Sequence, residues 1–258
     1  MFLLEPTDYL ALGPQRVGAS RLIAIETGKT VDNLRLLALF AAVFPFIDML
    51  NPSGKRHKSN QVWLDEHVND PFVQKAKAEG YRSRAAYKLI EIDAKDRLIK
   101  AGGVIVDLGS APGSWCQVAA NKIGNEGKII AIDLLDMQGM ANVDFIQGDF
   151  REAGPLQLIE QKLAGASVDL VMSDMLPNMT GVAAIDSPRA IYLCELAAEF
   201  ALAHLKPEGK FLTKAYQGPG FEEFLTQLKR QFKTVVSRKP EASRDRSAEV
   251  FLLATGLR

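Results

Sequence analysis

Three aspartates lie at or near the ends of apolar, strand-like runs in this 258-residue chain, and the first of them precedes a glycine turn. Asp107 belongs to "VIVDLGSAPGSW" (104–115), which reads as a buried strand, a turn at Gly109 and Gly113, and the start of a helix. Glycine adopts backbone conformations that other residues avoid, so such a turn lets a ligand approach the backbone closely. The free N–H groups at the start of the helix can bind an anion.

The acid in front of the glycines indicates the class of ligand. The turn differs from the dinucleotide fingerprint G-x-G-x-x-G, and the Asp107 carboxylate would repel a pyrophosphate but suits a cationic ligand. S-adenosylmethionine fits this pattern, because its carboxylate can bind the start of the helix while its positive groups bind the acids. The same loop chemistry argues against a dinucleotide-dependent dehydrogenase.

Two further acids follow along the chain. Asp133 ends the next strand, 24 residues after Gly109, where a ribose-binding acid belongs in such folds. Asp149 follows a third strand and is placed to accept a hydrogen bond from an adenine amino group. A turn or capping role is the usual explanation for one strand-end aspartate, but acids at three successive strands favour a binding site.

An alternation of strands and helices must position these acids. From residue 83 onward the order is that of parallel β-α-β units, which predicts an α/β fold. The polar stretch "RKPEASRDRS" joins the last two strands and is too short for a packed crossover helix, so an antiparallel pair is predicted at the sheet edge. The predicted helices cover 83–98, with Ser83 as the cap, 114–123, 154–164, 187–205 and 219–229. The predicted strands cover 103–108, 128–133, 143–147, 168–173, 209–214, 232–237 and 248–254.

The charges of the chain are unevenly distributed, although 31 basic and 31 acidic residues give a formal charge of zero. From Lys55 to Lys88, eight lysines and arginines outnumber four acids, and residues 229–246 hold seven against two. If the fold brings these segments together, they form a surface that neutralises several phosphates. Two separate solvated faces are the alternative explanation.

Composition argues against several other classes of protein. Cys116 and Cys194 lie in apolar segments and give no disulfide framework, which favours a reducing compartment. Three scattered histidines lack the spacing of metal ligands, so no metal site is predicted. The longest uncharged apolar run, 36–47, has twelve residues and contains Pro45. It is shorter than the roughly 20 residues that a membrane-spanning helix needs.

Several long motifs occur in order between about Ser59 and Arg258: "WLDEHVNDPFVQKAKAEGYRSRAAYKL", "VIVDLGSAPGSW", "IDLLDM", "VDFIQGDF", "VMSDMLPNMTG", "GKFLTKAYQGPGF" and "RKPEASRDRSAEVFLLATG". With them the chain resembles the RrmJ/FtsJ (RlmE) family of ribosomal RNA 2′-O-ribose methyltransferases. The resemblance implies a Rossmann-like methyltransferase fold dependent on S-adenosylmethionine, with a seven-stranded, mostly parallel sheet, an antiparallel edge strand and helices on both faces. The cofactor contacts that it implies are Gly113, Trp115, Asp133, Asp149 and Asp174, beside Asp107 and Gly109 from the turn itself.

The resemblance also implies a Lys-Asp-Lys-Glu catalytic tetrad, and every matching position carries the expected residue type. Lys214 is assigned as the base that helps a ribose 2′-hydroxyl attack a sulfonium methyl group, with Asp174 orienting it. Lys88 positions the 2′-oxygen or tunes Lys214, and Glu249 holds the lysines. Lys88, the charge of the cofactor and partial burial are expected to lower the pKa of Lys214, whereas the two acids act in the opposite direction.

The substrate implied by the resemblance is a uridine of large-subunit (23S) ribosomal RNA, methylated within the assembled subunit. The enzyme is expected to be a cytoplasmic monomer without a membrane span, and a 2′-hydroxyl target excludes DNA. A transfer-RNA 2′-O-methyltransferase and a noncatalytic ribosome-assembly protein are the alternatives. The basic residues expected to track phosphates toward the methyl group are residues 55–58, Arg82, Arg84, Arg238, Lys239, Arg244 and Arg246.

The domain organisation predicted from the motifs places the methyltransferase domain at 83–258, after a basic segment over 51–82. Residues 1–50 are predicted to be an N-terminal extension. Three interpretations of it stay open: an added helical element, a membrane-surface or partner-binding segment, or a translated stretch upstream of the real start. Met49 followed by "LNPSGKRHKSN" is typical of a basic N-terminus, which favours the third.

Overall fold

The computed structural model describes residues 69–244 and 247–258, which form one seven-stranded sheet between two layers of helices. The predicted extension 1–50 and most of the basic segment lie outside the described residues. The helices are α1 (Pro71–Glu79), α2 (Ala85–Asp96), α3 (Ser114–Ile123), α4 (Ala153–Leu163), α5 (Ala183–His204) and α6 (Phe221–Gln231). The strands are β1 (Val104–Leu108), β2 (Lys128–Asp133), β3 (Val143–Gln147), β4 (Val168–Ser173), β5 (Leu205–Tyr216), β6 (Phe232–Arg238) and β7 (Glu249–Leu257).

The strand order is β3-β2-β1-β4-β5-β7-β6. The first five of these strands are parallel. From β1 the chain first adds β2 and β3 on one side and then crosses back to add β4 and β5 on the other, so the strand order reverses between β1 and β4. Ligands of open α/β sheets bind beyond the carboxyl ends of the strands at such a reversal. Strand β7 runs antiparallel to both β5 and β6, which confirms the antiparallel pair at the edge, and β6 is the outermost strand.

Helices cover both faces of the sheet, as predicted. On one face, Leu89 of α2 and Val118 of α3 pack with Phe251 of β7 in a fully apolar cluster. On the other face, α4, α5 and α6 pack against the alternate residues of the same strands, such as Leu252. Because side chains alternate across a strand, this division assigns each strand residue to one of the two layers.

The pairing of β5 with β7 gathers polar residues on the face that α2 covers. Lys214 pairs with Phe251, and Tyr216 pairs with Glu249. Directly paired residues share a face, as do residues two apart along a strand. Since Phe251 packs in the cluster with α2, the other three side chains also face that helix. The register alone therefore brings Lys214 and Glu249 to one place beside α2.

Helix α1 was not predicted from the sequence, although its boundaries carry clear signals. The Asp70 carboxylate accepts a hydrogen bond from the N–H of Phe72 at 2.9 Å, and Pro71 occupies the first turn. Gly80 ends the helix in the left-handed region, with φ of 76°. The basic composition of the segment obscured these capping residues.

Three predicted helix starts differ from the structure by two residues or more, and one of them is that of α6, which begins at Phe221 instead of residue 219. Ser83 is not the cap of α2: Arg84 holds that position, and the Ser83 hydroxyl accepts a hydrogen bond from the N–H of Ala85 at 3.2 Å. Helix α5 begins at Ala183, before Pro188, and so includes Asp186. The buried Asp186 carboxylate accepts hydrogen bonds from the preceding loop, which joins that loop to the extra turn of helix.

Among the helices that the structure describes, none is long and apolar enough to cross a membrane.

Candidate active site

Lys214 and Asp174 form the first of two buried ion pairs at the carboxyl end of the sheet. Asp174 follows directly after β4, and its N–H donates to the carbonyl of Leu108 in β1 at 3.1 Å. The Lys214 ammonium lies 2.9 Å from Asp174 Oδ1 and donates a hydrogen bond to the Asp174 backbone carbonyl at 2.7 Å. Only 8% of the Lys214 side chain is exposed, so its amine is held at a fixed place.

Lys88 and Glu249 form the second ion pair. Lys88 projects from α2, and its ammonium lies 2.6 Å from Glu249 Oε1 and 2.8 Å from Oε2. The ammonium also lies 5.5 Å from the centre of the Phe251 ring. The hydroxyl of Ser243 donates a further hydrogen bond to Glu249 Oε1 at 2.7 Å. The carboxylate is therefore held from both α2 and the loop between β6 and β7.

The two ion pairs belong to one electrostatic group. The pKa of Glu249 lies below its usual value, because Lys88, Ser243 and the charge of Lys214 outweigh the burial that would raise it. Glu249 acts in turn on Lys214, whose amine it helps to keep protonated. The structure thus brings together all four members of the tetrad inferred from the sequence.

The described contacts of Lys214 show which of the opposing effects on its pKa is larger. Burial does act to lower the pKa of Lys214, but the charge and hydrogen bond of Asp174 act more strongly in the other direction. Tyr216 and Glu249 add to the effect of Asp174, so the pKa of Lys214 is raised. The amine is an ammonium ion near neutral pH, and any role as a base requires it to lose that proton first.

Tyr216 is a member of this site that the sequence analysis missed. Burial raises the pKa of its phenol, and the charges of Glu249 and Asp174 raise it further while Lys214 opposes them. The side chain is therefore neutral and can donate a hydrogen bond. Its position two residues after Lys214 on the same strand was the available signal, because strand residues two apart share a face.

Asp107 and Ser110 provide the unsatisfied polar atoms that a ligand would need beside the glycine turn. Asp107 is fully buried, and its Oδ1 has no hydrogen-bond donor within the described chain, as is true of the Ser110 hydroxyl oxygen. Burial raises the pKa of Asp107 to about 7, and the charges of Asp174 and Asp133 contribute to the rise. The hydrogen bond that Cys116 donates lowers the pKa, but by less. Buried polar atoms without partners are costly, which indicates a place for a bound group.

The Cys116 thiol is a second contact that the sequence analysis missed. It donates to Asp107 Oδ2 at 3.1 Å, and burial raises the thiol pKa well above its usual value. In the sequence, Cys116 was noted only as a cysteine within an apolar segment. The thiol occupies one oxygen of Asp107 and leaves the other for a ligand.

Asp133 and Asp149 are already engaged by neighbouring groups. Asp133 accepts hydrogen bonds from the N–H groups of Ala111 at 2.9 Å and Leu135 at 2.8 Å, so it holds the glycine turn in place. Asp149 is paired with Arg151, whose guanidinium donates at 2.6–3.1 Å, and this hydrogen bonding lowers the pKa of Asp149. Since a carboxylate oxygen accepts about two hydrogen bonds, Asp133 retains capacity for a ligand at both oxygens. Asp149 already accepts two at each oxygen, all from Arg151, so a ligand there must replace contacts of the Arg151 side chain.

Trp115 contributes its backbone rather than its ring to the turn. The indole is buried, donates to the carbonyl of Ala85 at 2.9 Å and packs against Phe251 with ring centres 5.7 Å apart. Its N–H lies in the first turn of α3, where helices leave amides without an internal acceptor. A contact between Trp115 and an anion at the turn would therefore be made by this N–H.

Several basic residues expected to track phosphates are engaged within the protein. Arg82 donates to the carbonyls of Pro112 at 3.0 Å and Gly139 at 3.3 Å, which joins the glycine turn to the loop after β2. Arg238 forms two hydrogen bonds to Asp96 at the end of α2, at 2.7 and 2.6 Å. Arg84 contacts Asp70 and the carbonyl of Ala242, and Lys239 contacts the carbonyls of Ser247 and Glu249.

Gly109 is required where β1 meets the segment that carries Asp174. Its φ is +78°, and a Cβ atom would lie 2.9 Å from both the N and the Cα of Met175. Because those are backbone atoms, an added methyl group must displace the residues next to Asp174. Gly113, with φ of +100°, occupies the start of α3 in the same left-handed region.

Gly109→Ala is expected to reduce the methyl transfer that the resemblance implies by about a hundredfold or more, since displacing reacting groups by about 1 Å has that effect. Transfer of a radiolabelled methyl group measures the activity, and titration calorimetry with the cofactor measures its affinity. Gly165→Ala is the matched control, because Gly165 has a φ of +80° with nothing within 4 Å of the added atom. Equal activities of the two variants would contradict the close packing of Gly109 on Met175.

The described residues contain no group of three or more metal-ligating side chains, and both cysteines are free and buried.

Comparison with known protein sequences gives consistent matches. Residues 81–257 match the model of a family described as FtsJ-like methyltransferase. A protein of Azoarcus sp. named ribosomal RNA large subunit methyltransferase E is 57% identical over 204 residues, covering 79% of this chain and 100% of that protein. A protein of the same name from Chromobacterium violaceum is 57% identical over 203 residues, covering 79% and 99%.

A solved structure supports the same relationship. The crystal structure of a protein from Plasmodium falciparum, described as a candidate ribosomal RNA methyltransferase, matches with a TM-score of 0.63 and 32% sequence identity. The match covers 69% of this chain and 98% of that one.

Proposed function

Because this chain belongs to the family of FtsJ-like methyltransferases, we propose that it methylates a ribose 2′-hydroxyl, of a uridine, in large-subunit (23S) ribosomal RNA. The methyl donor in this proposal is S-adenosylmethionine, and the RNA is presented within the assembled large subunit. The enzyme acts in the cytoplasm as a monomer. The observation that carries the proposal is the pair of buried ion pairs, Lys214 with Asp174 and Lys88 with Glu249, beside the glycine turn.

The residues around the glycine turn fit the methyl donor. When bound, S-adenosylmethionine supplies a methyl group on a positively charged sulfur. Asp107 has a buried oxygen without a donor, which suits the amino group of the cofactor. The first N–H groups of α3 suit the carboxylate of the cofactor. Asp133 suits the ribose hydroxyls, and Asp149 suits the amino group of the adenine.

The tetrad residues accept the proton of the ribose hydroxyl and position the reacting groups. Lys214, after losing its own proton to solvent, accepts the proton of the ribose hydroxyl, and Asp174 holds the Lys214 amine in place through both its carboxylate and its backbone carbonyl. Lys88 positions the ribose oxygen, and Glu249 positions Lys88. A general base contributes roughly 10²- to 10⁴-fold to a rate, whereas orientation of the reactants contributes about 7 to 11 kcal/mol, so positioning is the larger effect.

Cofactor binding is expected to depend on pH through Asp107. A carboxylate with a pKa of about 7 is mostly protonated below that pH and must lose its proton to pair with the amino group of the cofactor. Affinity for S-adenosylmethionine should therefore rise by about tenfold per pH unit up to neutrality and then level off. Titration calorimetry without RNA measures this. Asp107→Asn should bind weakly with no such pH step, and an unchanged pH step in that variant would exclude Asp107 as its source.

The choice of RNA is tested by transfer of a tritiated methyl group to isolated large subunits, naked ribosomal RNA and transfer RNA. We expect labelling of large subunits lacking the modification, with the label recovered as a 2′-O-methyl nucleoside. Preferred labelling of transfer RNA would identify the alternative substrate. Tight RNA binding without transfer to any of the three would indicate a noncatalytic assembly protein and overturn the proposal.

A further inference from the structure

Ser243 is a polar residue of the β6–β7 loop that is 4% exposed and contacts the tetrad from outside it. Its hydroxyl donates to Glu249 Oε1 at 2.7 Å, the same oxygen that lies 2.6 Å from the Lys88 ammonium. Glu249 is itself 7% exposed, so few water molecules reach its carboxylate to replace a lost donor. The Ser243 hydroxyl therefore limits the directions that this carboxylate can take.

The loop that carries Ser243 is fixed to the first two helices. Ala242 is fully buried and packs with Ala76 of α1 and Tyr87 of α2. The Ala242 carbonyl accepts from Arg84, and the N–H of Glu241 donates to Glu91 Oε2 at 2.8 Å. These contacts hold the backbone of the loop, and so fix the position from which the Ser243 hydroxyl reaches Glu249.

Without the hydrogen bond from Ser243, the side chains of Glu249 and Lys88 could move together. An ion pair between two side chains keeps its internal distance while both swing, because each carries several rotatable bonds. A third contact from a fixed loop removes this freedom. The position of the Lys88 ammonium beside Phe251 then follows from the loop as well as from α2.

We propose that Ser243 is a positioning residue for methyl transfer, which orients Glu249 and through it places Lys88 for the ribose oxygen. The role rests on the proposed function, since it serves the same reaction. It differs from a merely structural role in acting through the charge of Glu249. Loss of the hydroxyl should lower kcat and leave the KM for RNA nearly unchanged, because the fold and the RNA-binding surface are retained.

Ser243→Thr and Ser243→Val are the matched variants, since valine has the shape of threonine without its hydroxyl. We expect the threonine variant to keep its activity and the valine variant to lose about tenfold in kcat, the lower end for a hydrogen bond to a charged group. In a Glu249→Gln background the difference between the two should shrink to about twofold or less. If the added methyl group unfolds both variants, Ser243→Ala compared with the original protein replaces them with the same expectation.

A measurement without RNA separates this role from the proposed function. A lysine ammonium held by fixed acceptors gives a resolvable side-chain signal in nitrogen-15 NMR, assigned to Lys88 by its loss in Lys88→Arg. The signal should persist in Ser243→Thr and broaden or vanish in Ser243→Val. Equal kcat values and equal Lys88 signals in the two variants would overturn the proposal, as would an undiminished difference in the Glu249→Gln background. Absence of methyl transfer with a Thr–Val difference in the signal would overturn the proposed function, while the orienting contact from Ser243 through Glu249 to Lys88 would stand.

Discussion

Replacing Lys214 with alanine is expected to reduce methyl transfer by at least about 10³-fold, within the range that a general base and its positioning supply. The reason is that alanine carries no group to accept the proton of the ribose hydroxyl at the place where the Lys214 amine lies. Affinity for the methyl donor should stay within a few fold, since the glycine turn and Asp107 are unchanged. Single-turnover methyl transfer and titration calorimetry measure the two quantities.

Two further substitutions make this result specific to the base. Lys214→Arg keeps the positive charge but cannot lose its proton near neutral pH, so it should be as inactive as alanine. Lys206→Ala is the matched control, because Lys206 lies on the same strand and pairs with Asp169 at 2.7 Å, away from the tetrad. It should retain nearly full activity. An active arginine variant would show that Lys214 acts through its charge and not as a base.

Asp174→Asn is expected to lower the rate by about a hundredfold while shifting its pH dependence toward lower pH. Orientation of the Lys214 amine is lost, and misplacement of a reacting group by about 1 Å costs that much. The charge and hydrogen bond of Asp174 also raise the pKa of Lys214, so their removal lowers it. The neutral amine then forms at a lower pH, and the rise of rate with pH ends earlier.

The pH dependence of single-turnover rates in both proteins checks this prediction. In the unaltered protein, log rate should rise with a slope of about one through the neutral range, because each pH unit gives tenfold more neutral amine. Asp169→Asn serves as the control, since it removes a comparable lysine partner elsewhere. A residual rate in Asp174→Asn that follows the original pH curve would contradict the link between Asp174 and the Lys214 pKa.

The placement of the acids was predictable from sequence because the carboxyl ends of parallel strands meet at one edge of the sheet. Asp107 and Asp133 accordingly lie close enough for the charge of Asp133 to contribute to the raised pKa of Asp107. The antiparallel pair at the sheet edge was also predictable, from the short polar connection between β6 and β7. The tetrad itself came from the family resemblance rather than from any local pattern.

Other features of the site had no local signal. Ser243 reaches Glu249 only because the loop folds back onto α1 and α2, and that packing depends on contacts distant in sequence. The direction of the Lys214 pKa shift depends on the balance between burial and the contacts of Asp174, which residue types alone do not determine. Helix α1 was obscured because it lies in a segment whose basic composition drew attention away from its capping residues.

A crystal structure of the protein with S-adenosylmethionine would show directly whether Lys214 lies beside the methyl group that is transferred. We expect the methyl group to point toward Lys214, so that an oxygen placed about 3 Å from the methyl carbon, in line with the bond to sulfur, lies within hydrogen-bond reach of the Lys214 amine. A methyl group directed away from Lys214, or a donor bound apart from Asp107 and the glycine turn, would contradict this expectation.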